Sequence, residues 1–195
     1  MPVDRVGGVV RRGDEGDSQP SPPDPLSRLR ARGNDGGVLS TIMKSLMARV
    51  LYFAYGANMD TRRFRRRCPG SVVLGRALLR NYRLAFTRYD SHEKGGVADI
   101  VAEAGAQVWG ALYDIDEACL RALDQYEGAP QAYRRETVRV ADDRGVEHQA
   151  VAYVANKTGE FAPGRTYLAL IVRGARDHEL PEEYVKSIEE TKTHP

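Results

Sequence analysis

The stretch "LYFAYGANMDTRRF", Leu51–Phe64, decides how this chain is read. Its first half is apolar and aromatic, the composition of a buried strand. Its second half is polar and basic and reads as a short helix. Between them stand Gly56, Ala57 and Asn58. A helix entered this way leaves its first N–H groups without intrahelical partners, all pointing one way. Two readings follow. In one, Asn58 simply caps the helix. In the other, the amides around Gly56–Met59 cradle an anion, and Gly56 lets the ligand approach the backbone. The stretch alone leaves both open.

Upstream the texture is different. Residues 1–48 contain no Phe, Trp or Tyr, and they carry "SQPSPPDP" and "RGNDGG". Such a segment cannot bury enough apolar surface to offset chain entropy. It is expected to be a disordered extension, or the product of a start placed upstream of Met43 or Met47. The domain is expected over residues 49–195.

Downstream, "MDTRRFRRRCPG" reads as a helix stopped at Pro69-Gly70. "SVVLGRALLRNYRLAFTRYD" reads as one long bent strand or two paired ones, with Gly75 at a bulge. Two strands are expected over Val97–Ala102 and Gln107–Ile115, with Gly105-Ala106 at the turn between them. "DEACLRALDQYEG" is a helix with Asp116 as N-cap and Gly128 at its stop. "YRRETVRVADDRGVEHQAVAYVAN" is a hairpin with its tip near Asp143–Gly145. A helix runs from Arg165 through "YLALIVRGAR", and another starts near Pro181. The class is α+β: a mixed, mostly antiparallel sheet, curved or closed into a small barrel, with flanking helices.

Bulk composition excludes several functions. Twenty-nine basic and 27 acidic residues give a net charge of +2, no general footprint for nucleic acid or a membrane surface. No apolar run is long enough to span a bilayer, and the opening residues lack the apolar core of a secretory signal. Cys68 and Cys119 have neither metal nor redox spacing and read as free thiols in a reducing cytosol, hence a cytoplasmic protein. His92, His148, His178 and His194 have no zinc spacing. There is no P-loop, dinucleotide fingerprint or Gly-x-Ser-x-Gly. No metal and no cofactor is expected, and oligomeric state is not readable.

Four features could carry chemistry. The Tyr55–Asn58 turn is one. Glu127 is the second: it falls in the last turn of its helix, where the dipole favours the protonated carboxyl. Burial would push the same way and suit a group that both takes and gives a proton. The plain alternative is a solvated Glu, and Asp124 on the same helix reads as surface. Tyr55, Tyr126, Tyr133 and Tyr153 are either packing residues or pocket phenols. Finally, the basic run Arg62–Arg67 either contacts phosphates or forms the solvated face of a short helix, which is how such runs usually behave.

In order along the chain, these features resemble the gamma-glutamylcyclotransferase family. "FAYGAN" stands where that family has a strand ending in Tyr-Gly-Ser-Asn. Gly95-Gly96, "QVWGALYDI", "LDQYEG", Tyr133, Tyr153 and "LPEEYVKSIE" follow in the family's sequence, over about residues 50–190. The resemblance implies that Tyr55, Gly56, Ala57 and Asn58 hold the α-carboxylate of a γ-glutamyl group. It makes Glu127 the acid/base, and has Tyr133 and Tyr153 line the pocket. The implied reaction turns a γ-glutamyl amide into 5-oxoproline and a free amino acid or amine. Ala57 departs from the family's Ser; a hydroxyl contact is lost while the backbone donors survive, so altered binding is expected. Relatives acting on γ-glutamylamines or biosynthetic γ-glutamyl intermediates, and a non-catalytic binding domain of the same fold, are the alternatives.

Overall fold

A computed structural model of the chain describes residues 49–194. The expected extension over residues 1–48 lies outside the described residues. Within them, β1 (Arg49–Ala54) leads through a 3-10 turn (Ala57–Met59) to α1 (Thr61–Arg67). Then come β2 (Val72–Asp90), β3 (Gly95–Asp116), α2 (Glu117–Glu127), β4 (Tyr133–Asp142), β5 (Glu147–Ala155), α3 (Arg165–Asp177) and α4 (Glu182–Glu189). The strands close a barrel in the order β1-β3-β2-β4-β5. Every neighbouring pair is antiparallel except β1 and β5, which meet in parallel at Tyr52 and Val151. The α+β barrel with flanking helices is therefore as expected.

β2 is one strand, bulged at Gly75 as its sequence predicts. The two strands expected between Val97 and Ile115 are, in contrast, a single strand, Gly95–Asp116. The Gly105-Ala106 signal makes a bulge rather than a hairpin. Arg80 pairs with Gln107 and Tyr82 with Ala102, so Glu103–Ala106 stand opposite Asn81 alone. Asn81 (φ 62°) and Gly105 (φ 81°) both take left-handed backbone there, and the Gly105 N–H donates to Asn81 Oδ1 at 3.1 Å. The turn chemistry is real, but a one-sided insertion absorbs it.

The helices end where their caps say. Asp116 Oδ1 accepts from Cys119 N–H at 2.7 Å, and Gly128 closes α2 in the left-handed region at φ 61°. For α1 the cap is Asp60, whose Oδ1 accepts from Arg63 N–H at 2.8 Å. The reading of Asn58 as cap is thereby corrected: the 3-10 turn inserts between strand and helix and frees Asn58 for another role. Asp60 is only 1% exposed, and its Oδ2 pairs with Arg173 of α3. Burial works against its ionisation, but the Arg63 N–H and the Arg173 guanidinium outweigh it and hold the carboxyl below the ordinary range. Asp60→Ala is expected to cost about 2 kcal/mol, a lost cap plus a lost charged hydrogen bond. Urea midpoints check this. The contribution is present above the unfolded carboxyl value and lost as pH falls through the depressed folded one, so mutant and wild type should converge in acid.

α3 fixes the turn from outside the barrel. A Cβ at Gly174 would stand 2.5 Å from the Met59 carbonyl carbon, so the helix backbone rests directly on the turn. His178, just after α3, puts Nε2 3.0 Å from the Met59 carbonyl oxygen.

The cysteines correct the sequence reading. Cys68, at the end of α1, and Cys119, in the first turn of α2, are joined in a disulfide with Cα atoms 5.0 Å apart. Neither is a free thiol, and the reducing compartment inferred from them loses that support. The spacing rules test neighbours in sequence, whereas these cysteines are 51 residues apart and meet only when α1 packs on α2. Among the described residues no helix is long and apolar enough to cross a membrane.

Candidate active site

β1 delivers its turn to the mouth of a cavity of about 370 Å³. Tyr55, Gly56, Ala57 and Asn58 line it; so do Glu127, Tyr133 and Tyr153. The structure brings every candidate site residue to one cavity, from the end of β1, the end of α2, the start of β4 and β5.

The turn leaves backbone donors beside the cavity. Met59 and Asp60 N–H close back on the carbonyls of Gly56 and Ala57 at 2.9 and 3.2 Å. Among the described residues the amides of Gly56, Ala57 and Asn58 enter no such turn bond, and all three residues line the cavity. Unpaired N–H groups beside a cavity are donors for a bound acceptor. Gly56 is needed for a different reason than left-handed backbone: a Cβ there would lie 2.9 Å from the Ala98 Cβ.

Asn58 joins the turn to Glu127. Its Nδ2 donates to Glu127 Oε1 and to Tyr52 Oη, each at 2.8 Å. Its Oδ1 accepts from Arg67, which fixes the amide's orientation. Burial pushes the Glu127 carboxyl above its ordinary value, against the Asn58 bond and the charges of Arg67 and Arg63. Asp124, three residues earlier, goes the other way. Burial raises it, but Arg135 Nε at 2.6 Å and Tyr153 Oη at 2.8 Å prevail and hold it below the carboxylate range. Two carboxyls on one helix are thus pushed in opposite directions, Glu127 up by burial and Asp124 down by Arg135 and Tyr153. Asp124 is not the plain surface residue the sequence suggested; it anchors Tyr153.

The tyrosines prove to be mostly walls. Tyr55 donates its hydroxyl to the Tyr153 carbonyl, and Tyr133 to the Ala98 carbonyl at 2.8 Å. Tyr153 donates to Asp124. Their rings shape the cavity while their O–H groups hold the scaffold. Sequence reasoning missed two other tyrosines that line it. Tyr52 accepts from Asn58, and Tyr167 of α3 accepts from the Ala98 N–H at 3.0 Å, leaving its own proton to donate. Nothing local in "RTYLALIV" distinguishes Tyr167 from a core aromatic.

The arginine run also differs from its expected role. Arg62, Arg65 and Arg66 are exposed, but Arg63 and Arg67 are drawn inward. Arg63 bonds Glu93 at 2.7 Å and Tyr126 Oη at 2.5 Å. Arg67 lies over the Tyr126 ring at 3.2 Å while holding Asn58. Positions 63 and 67 are one helical turn apart, so they share a face. That spacing was the available signal, and the uniform run of charge concealed it.

Comparison with known proteins gives a consistent result. The AIG2-like family model matches residues 107–188. The gamma-glutamylcyclotransferase of Homo sapiens is 31% identical over 143 residues, 71% of this chain and 76% of that protein. The gamma-glutamylcyclotransferase of Bos taurus is 32% identical over the same shares. A solved gamma-glutamyl cyclotransferase structure superposes with a TM-score of 0.73 at 28% identity, over 75% of this chain and 90% of that one.

Proposed function

Because the chain belongs to the gamma-glutamylcyclotransferase family, we propose that its cavity binds a γ-glutamyl amide and cyclises the glutamyl group to 5-oxoproline, releasing an amino acid or amine. The observation that supports this reading is the hydrogen bond that ties Glu127, a carboxyl pushed up by burial, to the Asn58 side chain of the turn whose Gly56–Asn58 amides enter no turn bond.

The substrate supplies its own nucleophile. Its α-amine lies within reach of its γ-carbonyl, so the enzyme's task is to hold the chain folded for ring closure. The Gly56–Asn58 amides would grip the α-carboxylate. Glu127, as carboxylate, takes a proton from the α-ammonium. The freed nitrogen attacks the γ-carbonyl carbon, and the former carbonyl oxygen takes up negative charge. Tyr167 and Tyr52, whose hydroxyls accept from Ala98 and Asn58 and keep their own protons to donate, would stabilise it. The amide C–N bond then breaks, and Glu127 returns its proton to the departing nitrogen. The ring nitrogen, left cationic by the attack, gives its second proton to the released amine, so protons and electrons balance; these steps call for no metal or cofactor.

The test is product analysis. Purified protein incubated with γ-glutamyl amino acids and γ-glutamylamines should form 5-oxoproline and free amine in equal amounts. Glutamate in place of 5-oxoproline would mean hydrolysis and would overturn the cyclisation.

Asn58→Ala provides a pH test of the same chemistry. The Asn58 N–H favours the charged form of Glu127, so its removal should raise the Glu127 pKa further. Ring closure begins with the carboxylate. The acid limb of the kcat/KM profile should therefore move to higher pH, with a loss at neutral pH of about tenfold. An unmoved limb would remove Asn58 from control of Glu127.

A further inference from the structure

The charged groups around the cavity are not all equally engaged. Glu93 is paired with Arg63 at 2.7 Å. Asp90 Oδ1 accepts the N–H groups of His92 and Glu93 at 2.8 and 2.9 Å. Glu127 is bonded to Asn58. Arg88, half-buried on β2, also lines the cavity, and among the described residues its one hydrogen bond is from Nη1 to the Asn156 carbonyl at 3.2 Å. No carboxylate is paired with it among the described residues.

The Asn156 contact is a support rather than a charge partner. Asn156 is itself tied down by bonds from Nδ2 to the Pro130 and Gln131 carbonyls at 2.7 and 2.8 Å. One edge of the guanidinium is thus fixed, and the rest of its fork is available. The cation also bears on the cavity wall. Burial, chiefly, pushes the Tyr133 phenol up, and Arg88 acts against it. The cradle for the glutamyl carboxylate lies on a different element, after β1. An unpaired guanidinium elsewhere in the same cavity calls for a second carboxylate, which a glutamyl group held by its own α-carboxylate does not supply.

On the cyclotransferase reading, we infer that Arg88 binds the α-carboxylate of the leaving group, so that the enzyme selects γ-glutamyl amino acids over γ-glutamyl derivatives of simple amines. Arg88 is then a specificity residue that contacts the departing half of the substrate and takes no part in proton transfer.

Two substrates isolate the claim. γ-Glutamyl-alanine and γ-glutamyl-ethylamide differ only in the leaving group's carboxylate. The full chain should prefer the first by about 10- to 100-fold in kcat/KM, the range of a partly exposed charge-assisted contact. Arg88→Gln should remove that preference, mainly through KM for γ-glutamyl-alanine, and leave the ethylamide within about twofold. Arg88→Lys, which keeps the charge but not the planar fork, should recover part of it. A parallel loss on both substrates would mean that Arg88 only supports the fold, and a preference that survives Arg88→Gln would place the selecting group elsewhere; either overturns the inference. Calorimetric binding of both compounds to the Glu127→Gln protein separates this from the reaction itself. If neither compound yields 5-oxoproline, the cyclotransferase reading fails. Tighter binding of γ-glutamyl-alanine, abolished by adding Arg88→Gln, would still establish Arg88, and equal binding of the two compounds would overturn it.

Discussion

Glu127→Gln is expected to lower kcat for 5-oxoproline formation by about 10²- to 10⁴-fold, the usual contribution of a positioned acid/base. Glutamine keeps the shape and can still accept the Asn58 N–H, so the cavity should survive. What it lacks is a titrating oxygen. Substrate affinity should change little, because the cradle and Arg88 are untouched. Stability should move the other way. Burial raises the Glu127 pKa, so the fold favours its protonated form over its charged one. Relative to the unfolded chain, that contribution is present below the unfolded value of about 4.3 and is lost as pH rises through the folded value. At neutral pH the glutamine variant should therefore melt at or above the wild-type temperature, and the difference should vanish in acid. Calorimetric melts at several pH values, beside single-turnover assays, measure both effects. Equal turnover by the two proteins would take Glu127 out of the mechanism.

Reduction of the Cys68–Cys119 disulfide should cost about 4 kcal/mol, the chain-entropy estimate for a cross-link of this length. The bridge spans 51 residues, among them the whole of β2 and β3. Against a typical total of roughly 5–15 kcal/mol, that is a large fraction. The bridge also ties the helix that carries Arg63 and Arg67 to the helix that ends in Glu127. The reduced protein should thus lose denaturant midpoint and also show a raised KM. Cys68→Ala/Cys119→Ala should reproduce both changes and no longer respond to dithiothreitol. Identical midpoints with and without reductant would show that the bridge contributes nothing to stability.

What the sequence makes legible here is what neighbouring residues settle among themselves. Asp116 and Gly128 bound α2 because a cap and a left-handed glycine act over one turn. The β4–β5 hairpin announces itself because its tip residues and alternating strands are adjacent. The Tyr55–Asn58 turn and Glu127 could be singled out because each sits at an element's end, where backbone groups are left over, but only the family resemblance assigned them roles. The missed features are all long-range. Asn81 takes up an insertion located more than twenty positions away, so Gly105 looked like a hairpin turn. Cys68 meets Cys119, and Arg67 meets Asn58 and Tyr126, only through the packing of α1 on α2. Tyr167 and Arg88 reach the cavity from elements whose own patterns say only helix and strand.

The parallel seam between β1 and β5 has a consequence for how this protein comes to exist. Tyr52 pairs with Val151, and Tyr55 crosses the same seam to the Tyr153 carbonyl. The first strand of the barrel must wait for the last. A chain emerging from the ribosome carries the Gly56–Asn58 turn early, without its β5 neighbour, and cannot enclose the cavity until β5 is made. Such non-local closure slows folding. Catalytic competence therefore arrives late and all at once, so fragments ending before β5 are born without an enclosed site.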